Sequence, residues 1–171
     1  METALVVPVP EAEEAVGHWR RRHASDAADG MWAHVTLLYP FRDSSAVDET
    51  ACRGIEAALS PFGSFEFELV ATAYFRSEPT VLYLVPAPAA PFVAMTRALA
   101  AAFPDTPPYG GAYAEVVPHL SVGDEADASL LAEAEADVSR RLPIGARAGE
   151  AELVEHAPSG WRRRHVVTLG A

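Results

Sequence analysis

Two histidines, each followed two residues later by a hydroxyl side chain, hold the reactive groups of this sequence. His34 and Thr36 lie in M-W-A-H-V-T-L-L-Y-P-F (Met31–Phe41), and His119 and Ser121 lie in V-V-P-H-L-S-V-G (Val116–Gly123). An unperturbed imidazole titrates near pH ~6.5, so two of them can serve as general base and general acid together at neutral pH. Hydroxyls beside them can donate hydrogen bonds to the non-bridging oxygens of a phosphate as charge builds there. Such a set suits in-line attack on a phosphodiester, with one ring deprotonating the nucleophile and the other protonating the leaving oxygen. Neither a metal nor a covalent intermediate is required, and the pattern leaves open which ring does which.

Both motifs must sit on strands for this to work. Each is a short apolar run rich in β-branched or aromatic residues and closed by a turn former, Pro40 or Gly123. On a strand, residues i and i+2 share a face, so each histidine projects with its hydroxyl partner.

The flanking elements repeat. Leu5–Pro8 reads as a strand. Pro10–His23 reads as a helix, opened by Glu11, Glu13 and Glu14 and closed by Arg20, Arg21, Arg22 and His23 as the helix dipole favours. After a polar connection at Ser25–Gly30 comes the His34 strand and a loop through Ser45. A helix over Ala46–Ser60 and strands over Phe65–Phe75 and Thr80–Val85 follow. Pro86–Pro91 breaks the pattern, and Phe92–Phe103 opens a second series of a helix, an irregular loop through Ala114 and the His119 strand. An acidic helix over about Ala126–Arg141 and strands over Gly149–His156 and His165–Leu169 complete it, the last two joined by a turn at Pro158–Gly160. The expected fold class is α+β: a single domain over 1–171 made of two pseudo-symmetric lobes, roughly 1–86 and 87–171 with elements exchangeable between them. Each lobe carries an antiparallel-rich sheet with flanking helices, around a central cleft.

Composition narrows the chemistry. A chain of 171 residues, 50% apolar, can bury a sizeable core without staples. One cysteine, Cys52, excludes a disulfide framework and a cysteine-rich zinc site and reads as a small hydrophobe. All 13 basic residues are arginine, so no lysine nucleophile can form a Schiff base or accept an adenylyl group. A net charge of −11 argues against a general nucleic-acid coat. No H-x-x-x-H or H-E-x-x-H spacing occurs, so no metal and no cofactor is expected. With no run near ~18 apolar residues and no leader pattern, the expectation is a cytoplasmic, membrane-free protein, monomeric and without an obligate protein partner.

H-V-T-L-L-Y-P-F and P-H-L-S-V-G resemble the paired His-x-[Thr/Ser] motifs of the two-histidine phosphoesterase superfamily, in particular its 2′-5′ RNA ligase-like branch. The resemblance spans nearly the whole chain, including P-P-Y-G-G before the second motif. It implies a bilobal fold and metal-independent chemistry on 2′,3′-cyclic or 2′-5′-linked phosphodiesters. It also implies that His34 and His119 are the acid–base pair and that Thr36 and Ser121 hold phosphate. The expected substrate is a small cyclic nucleotide or an RNA end, with 2′-5′ ligation as the reverse reaction. The alternative is a non-catalytic module binding a nucleotide or phosphorylated metabolite in the same cleft.

Tyr39 and Tyr109, in loops adjoining the motifs, are further substrate-binding candidates that can stack on a base or bind phosphate. Arg76, after a strand expected to neighbour the cleft, is a candidate positive charge, and Trp32 shares a face with His34. Arg20–Arg22 reads as a helix terminus and Arg162–Arg164 as a solvated turn. His18, His23, His156 and His165 read as surface or structural residues.

Overall fold

The computed structural model describes residues 1–170. Eight strands form two four-stranded antiparallel sheets. They are β1 (Thr3–Pro8), β2 (His34–Leu38), β3 (Phe65–Phe75), β4 (Thr80–Ala87), β5 (Leu120–Glu125), β6 (Ile144–Ala148), β7 (Glu150–Ala157) and β8 (Gly160–Thr168). One sheet runs β2-β1-β7-β8 and the other β5-β4-β3-β6. The expected α+β architecture is present. Each sheet takes two strands from each half of the chain, so the sheets do not divide near residue 86: the first strand pairs with a strand near the far end of the chain (Thr3 opposite Glu155) and β3 pairs with β6.

Five helices pack beneath: α1 (Glu13–His23), α2 (Ser25–Ala28), α3 (Glu49–Leu59), α4 (Ala90–Ala102) and α5 (Ala132–Ser139). Helix α1 carries acids in its first turn and cations in its last, as its dipole favours. Helix α3 starts at Asp48, whose carboxylate accepts from the Ala51 amide at 2.8 Å, a few residues inside the boundary read from sequence. The acidic segment after β5 is a short 3₁₀ turn, Ala128–Leu131, leading into α5.

Helix α1 packs against β5 and helix α4 against β2, so the helix that precedes the motif strand in each half of the chain supports the motif strand of the other half. Val16, Trp19, Val35, Leu37, Met95, Leu99, Leu120 and Val122 belong to one continuous core that spans both sheets. This shared apolar interior holds the lobes in fixed register, because burying it is the dominant favourable term in folding.

The structure corrects two expectations. Strand β6 was not foreseen. Strand β8 reaches back to Gly160, so the Arg162–Arg164 run is strand and not solvated turn. Strand β7 places Glu152 and Glu155 beneath it, both buried, where Arg162 and Arg164 pair with Glu155 and Arg163 pairs with Glu152. The reading of Arg20–Arg22 as a helix terminus holds, since they lie in the last turn of α1, but the Arg20 side chain is buried.

Candidate active site

Both motif strands are edge strands, and β2 and β5 lie against one another where the two sheets meet. Alternation sets what each presents. On β2, Val35 and Leu37 enter the core while His34 and Thr36 stay half-buried on the opposite face; on β5, Leu120 and Val122 enter the core while Ser121 does not. His34, Thr36, His119 and Ser121 all line one cleft of about 410 Å³, together with Tyr39 and Tyr109.

The two imidazoles are fixed in the same way. The Nδ1 of His34 lies 2.7 Å from the Trp32 carbonyl, and the Nδ1 of His119 lies 2.7 Å from the Val117 carbonyl, in each case two residues back along the chain. A carbonyl can only accept, so Nδ1 carries the proton and Nε2 is the atom left for the cleft. Among the described residues neither the Thr36 nor the Ser121 hydroxyl is engaged by a protein partner.

Their surroundings differ. His34 sits beside a buried charge pair. Arg20, only 1% exposed, donates through Nη1 to the Ser121 carbonyl at 2.5 Å. Through Nη2 it reaches both Asp26 oxygens at 3.1 and 3.2 Å and the Trp32 carbonyl at 3.3 Å. One guanidinium therefore bridges the two motif strands and shares an acceptor with the His34 ring. His119 stands instead among aromatic rings: Phe75 and Tyr83 meet it edge-on at 4.9 and 5.5 Å, and Tyr109 stacks at 6.5 Å.

These settings depress both rings. Burial, then the Arg20 charge, lowers His34 to about 4 against the pull of Asp26, whose carboxylate is 3.8 Å from Nε2. A charge on His119 also lowers His34, so the rings are electrostatically coupled. Burial lowers His119, opposed by the Val117 carbonyl. Both are neutral in the free protein at pH 7. Burial also pushes the Tyr109 hydroxyl up to about 12.

Tyr109 is a non-glycine residue with φ of +51°, followed by Gly110 at +64°. Its amide donates to the Tyr39 carbonyl at 2.6 Å, which ties the loop before the second motif to the end of the first. A left-handed tyrosine costs on the order of 1 kcal/mol and persists only where its surroundings demand it.

Two candidates lie elsewhere. Arg76 sits over the Tyr74 ring at 4.5 Å and lines a neighbouring recess of about 440 Å³ that shares only Tyr109 and His119 with the cleft. The Trp32 indole donates to Glu152 at 3.0 Å and lies under Arg163, so it buttresses the sheet and does not line the cleft. Sequence reasoning missed Arg20, Asp26, Asp29, Asp124, His156 and Trp161, which line or support the cleft. Arg20 did carry a signal: it falls four residues after Val16, on the same helical stripe as buried Ala12, Val16 and Trp19. Among the described residues no three His, Cys, Asp or Glu side chains are grouped as metal ligands, and no helix is long and apolar enough to cross a membrane.

Several solved structures share this fold. E. coli LigT in its apo form superposes over 99% of this chain and 98% of its own, with a TM-score of 0.65 at 16% identity. TT0787 of Thermus thermophilus gives 0.64 at 18% identity over 99% and 98%. Kluyveromyces marxianus Usb1 gives 0.53 at 14% over the same shares. No curated protein matches the chain by sequence. The family model described as the 2′-5′ RNA ligase superfamily matches residues 8–160. The chain belongs to the 2′-5′ RNA ligase superfamily.

Proposed function

We propose that the protein is a metal-independent cyclic phosphodiesterase that opens a 2′,3′-cyclic phosphate or a related phosphodiester, with His34 and His119 as its acid–base pair. The observation that carries this is the matched tethering of two imidazoles in one cleft, each by a carbonyl two residues back at 2.7 Å. Superfamily membership supports the reaction class.

In hydrolysis, water attacks phosphorus while His34 Nε2 takes its proton. The bond from phosphorus to the ribose oxygen breaks, and His119 gives the Nε2 proton to that oxygen, leaving a phosphomonoester. Thr36 and Ser121 donate to the non-bridging oxygens. His34 is assigned as base because it is the ring held down to about 4, with Arg20 adding to burial. His119 has no such cation among the causes of its shift. A bound phosphate anion raises the proton affinity of both rings, which charges His119 when substrate is present. With a 5′ hydroxyl in place of water as the nucleophile, the same opening of a 2′,3′-cyclic phosphate forms a phosphodiester, and it is 2′-5′ ligation when the 3′ oxygen is the one that leaves and takes the proton from His119.

Incubation with nucleoside 2′,3′-cyclic phosphates in the presence of chelator tests this. Turnover is expected to survive chelation and to fall by about 10²–10⁴ in His34→Ala and His119→Ala. A p-nitrophenyl phosphodiester, whose leaving group needs no proton, should rescue His119→Ala and not His34→Ala. Full activity in either alanine variant would overturn the acid–base assignment, and binding without turnover would favour the non-catalytic module.

A further inference from the structure

Four carboxylates line the cleft: Glu2, Asp26, Asp29 and Asp124. Among the described residues no arginine does. Arg20 lies behind the wall, fully buried, and is engaged by Asp26 and by carbonyls of both motif strands. Setting Asp26 against Arg20 leaves three carboxylates with no guanidinium. The Asp124 carboxylate is held by neutral donors, the Ser25 amide at 2.9 Å and the Ser25 hydroxyl at 2.6 Å. Asp29 faces the His156 imidazole at 3.1 Å, and Glu2 lies beside the Tyr39 hydroxyl, which it helps push upward. The remaining wall is apolar and aromatic, with Ala4, Val6, Met31 and Trp161.

Resting on the phosphodiesterase reading of this cleft, we infer that it selects substrates carrying one negative charge and turns away polyanionic ones. The substrate class is a small phosphodiester whose remaining part is uncharged. The single charge is met at the two imidazoles and the Thr36 and Ser121 hydroxyls, where protonation of one ring balances it. A second phosphate anywhere else in the cleft meets carboxylates. At about 8 Å and near-bulk dielectric, three like charges disfavour each added charge by roughly tenfold. Arg42 is engaged with Asp105 and the Arg162–Arg164 run with Glu152 and Glu155, while Arg76 lies over Tyr74 in the neighbouring recess and does not line the cleft. Proteins that track nucleic acid show the opposite arrangement, with cations along the phosphate path and affinity that falls as salt rises.

The test compares kcat/KM for adenosine 2′,3′-cyclic phosphate, its 5′-phosphorylated form, and a short oligoribonucleotide ending in a cyclic phosphate. Each is measured at low and at physiological salt. The unphosphorylated nucleotide should be preferred by about tenfold or more at low salt, and the gap should close as salt screens the carboxylates. Asp124→Asn, which keeps the acceptor for the Ser25 amide, should narrow the gap as well. Preference for the polyanionic substrates, or kcat/KM that falls with salt, overturns the inference while leaving the phosphodiesterase reading intact. If none of the three is turned over, that reading fails. Charge selection is then read by calorimetry with adenosine 3′-monophosphate and adenosine 3′,5′-bisphosphate. Tighter binding of the bisphosphate, or binding of neither, overturns the inference.

Discussion

Replacing Arg20 by methionine separates packing from charge at the point where the two motif strands are tied together. Methionine keeps the unbranched stem and removes the fork that reaches the Ser121 carbonyl, the Trp32 carbonyl and Asp26. Breaking a buried charged contact costs about 3–5 kcal/mol, and a single hydrogen bond to a charged group about 1.5–3 kcal/mol. Asp26 is 30% exposed and can regain water, and Trp32 keeps its bond to His34. The expected loss at pH 7 is therefore about 3 kcal/mol. The second consequence is electrostatic. In the wild type His34 is held to about 4 against an ordinary 6.5, so below pH 6.5 the unfolded chain takes up a proton that the folded one refuses. Folding stability then falls between pH 6.5 and 4, by roughly 3 kcal/mol once pH is below both values. Removing the Arg20 charge while leaving Asp26 raises the folded value and shrinks that loss. Urea midpoints at pH 7 and pH 4.5 should show a stability gap between wild type and Arg20→Met that narrows on acidification. The acid limb of the kcat/KM profile should move to higher pH. Arg20→Lys keeps the charge and loses the fork, so it should destabilise while holding the acid limb near its wild-type position. An Arg20→Met protein with unchanged stability, or with an acid limb that stays put or moves down, refutes the reasoning.

Other outcomes follow from the same geometry. Thr36→Val and Ser121→Ala should each reduce kcat/KM by about 10–100-fold with an unchanged urea midpoint, since each removes one hydrogen bond to a charged phosphate oxygen. Gly160→Ala should destabilise by more than about 2 kcal/mol, read by thermal melting. The turn there has φ of +110°, and an added Cβ would lie 2.5 Å from the Asp29 carbonyl. Asp48→Ala should cost about 1 kcal/mol by removing the cap of α3 while leaving kinetic constants alone.

Much of the cleft was legible because period-2 spacing is a local property. His-x-Thr and His-x-Ser place their side chains on one face of a strand wherever that strand ends up, and Phe65–Phe75 announces itself by alternation. Helix α1 was legible from its charge order, and Tyr39 and Tyr109 from their nearness to the motifs. What escaped depends on partners distant in sequence. Strand β6 is I-G-A-R-A, with little β-branched or aromatic content, and it is a strand because β3 offers it an edge. Arg162–Arg164 looks like a surface run until Glu152 and Glu155 are placed beneath it. The Arg20 side chain is polar at a core-stripe position, and only the convergence of Asp26, Trp32 and Ser121 reveals what buries it.

The pairing of β1 with β7 has a bearing on when the protein can come into being. Chains are made from the N-terminus, and early segments usually settle before later ones emerge. Here β1 and β2 can meet early, yet the inner edge of β1 waits for Glu152–Glu155, nearly the whole chain later. The apolar row Ala4 and Val6 can gather Met31, Trp32 and Tyr39 early, but it lacks Val154 and Trp161 until β7 and β8 arrive. Both histidines are synthesised well before the wall they face is complete. Emergence of Glu150–Thr168 from the ribosome, and not the appearance of the second motif, therefore marks the moment at which the cleft can first form.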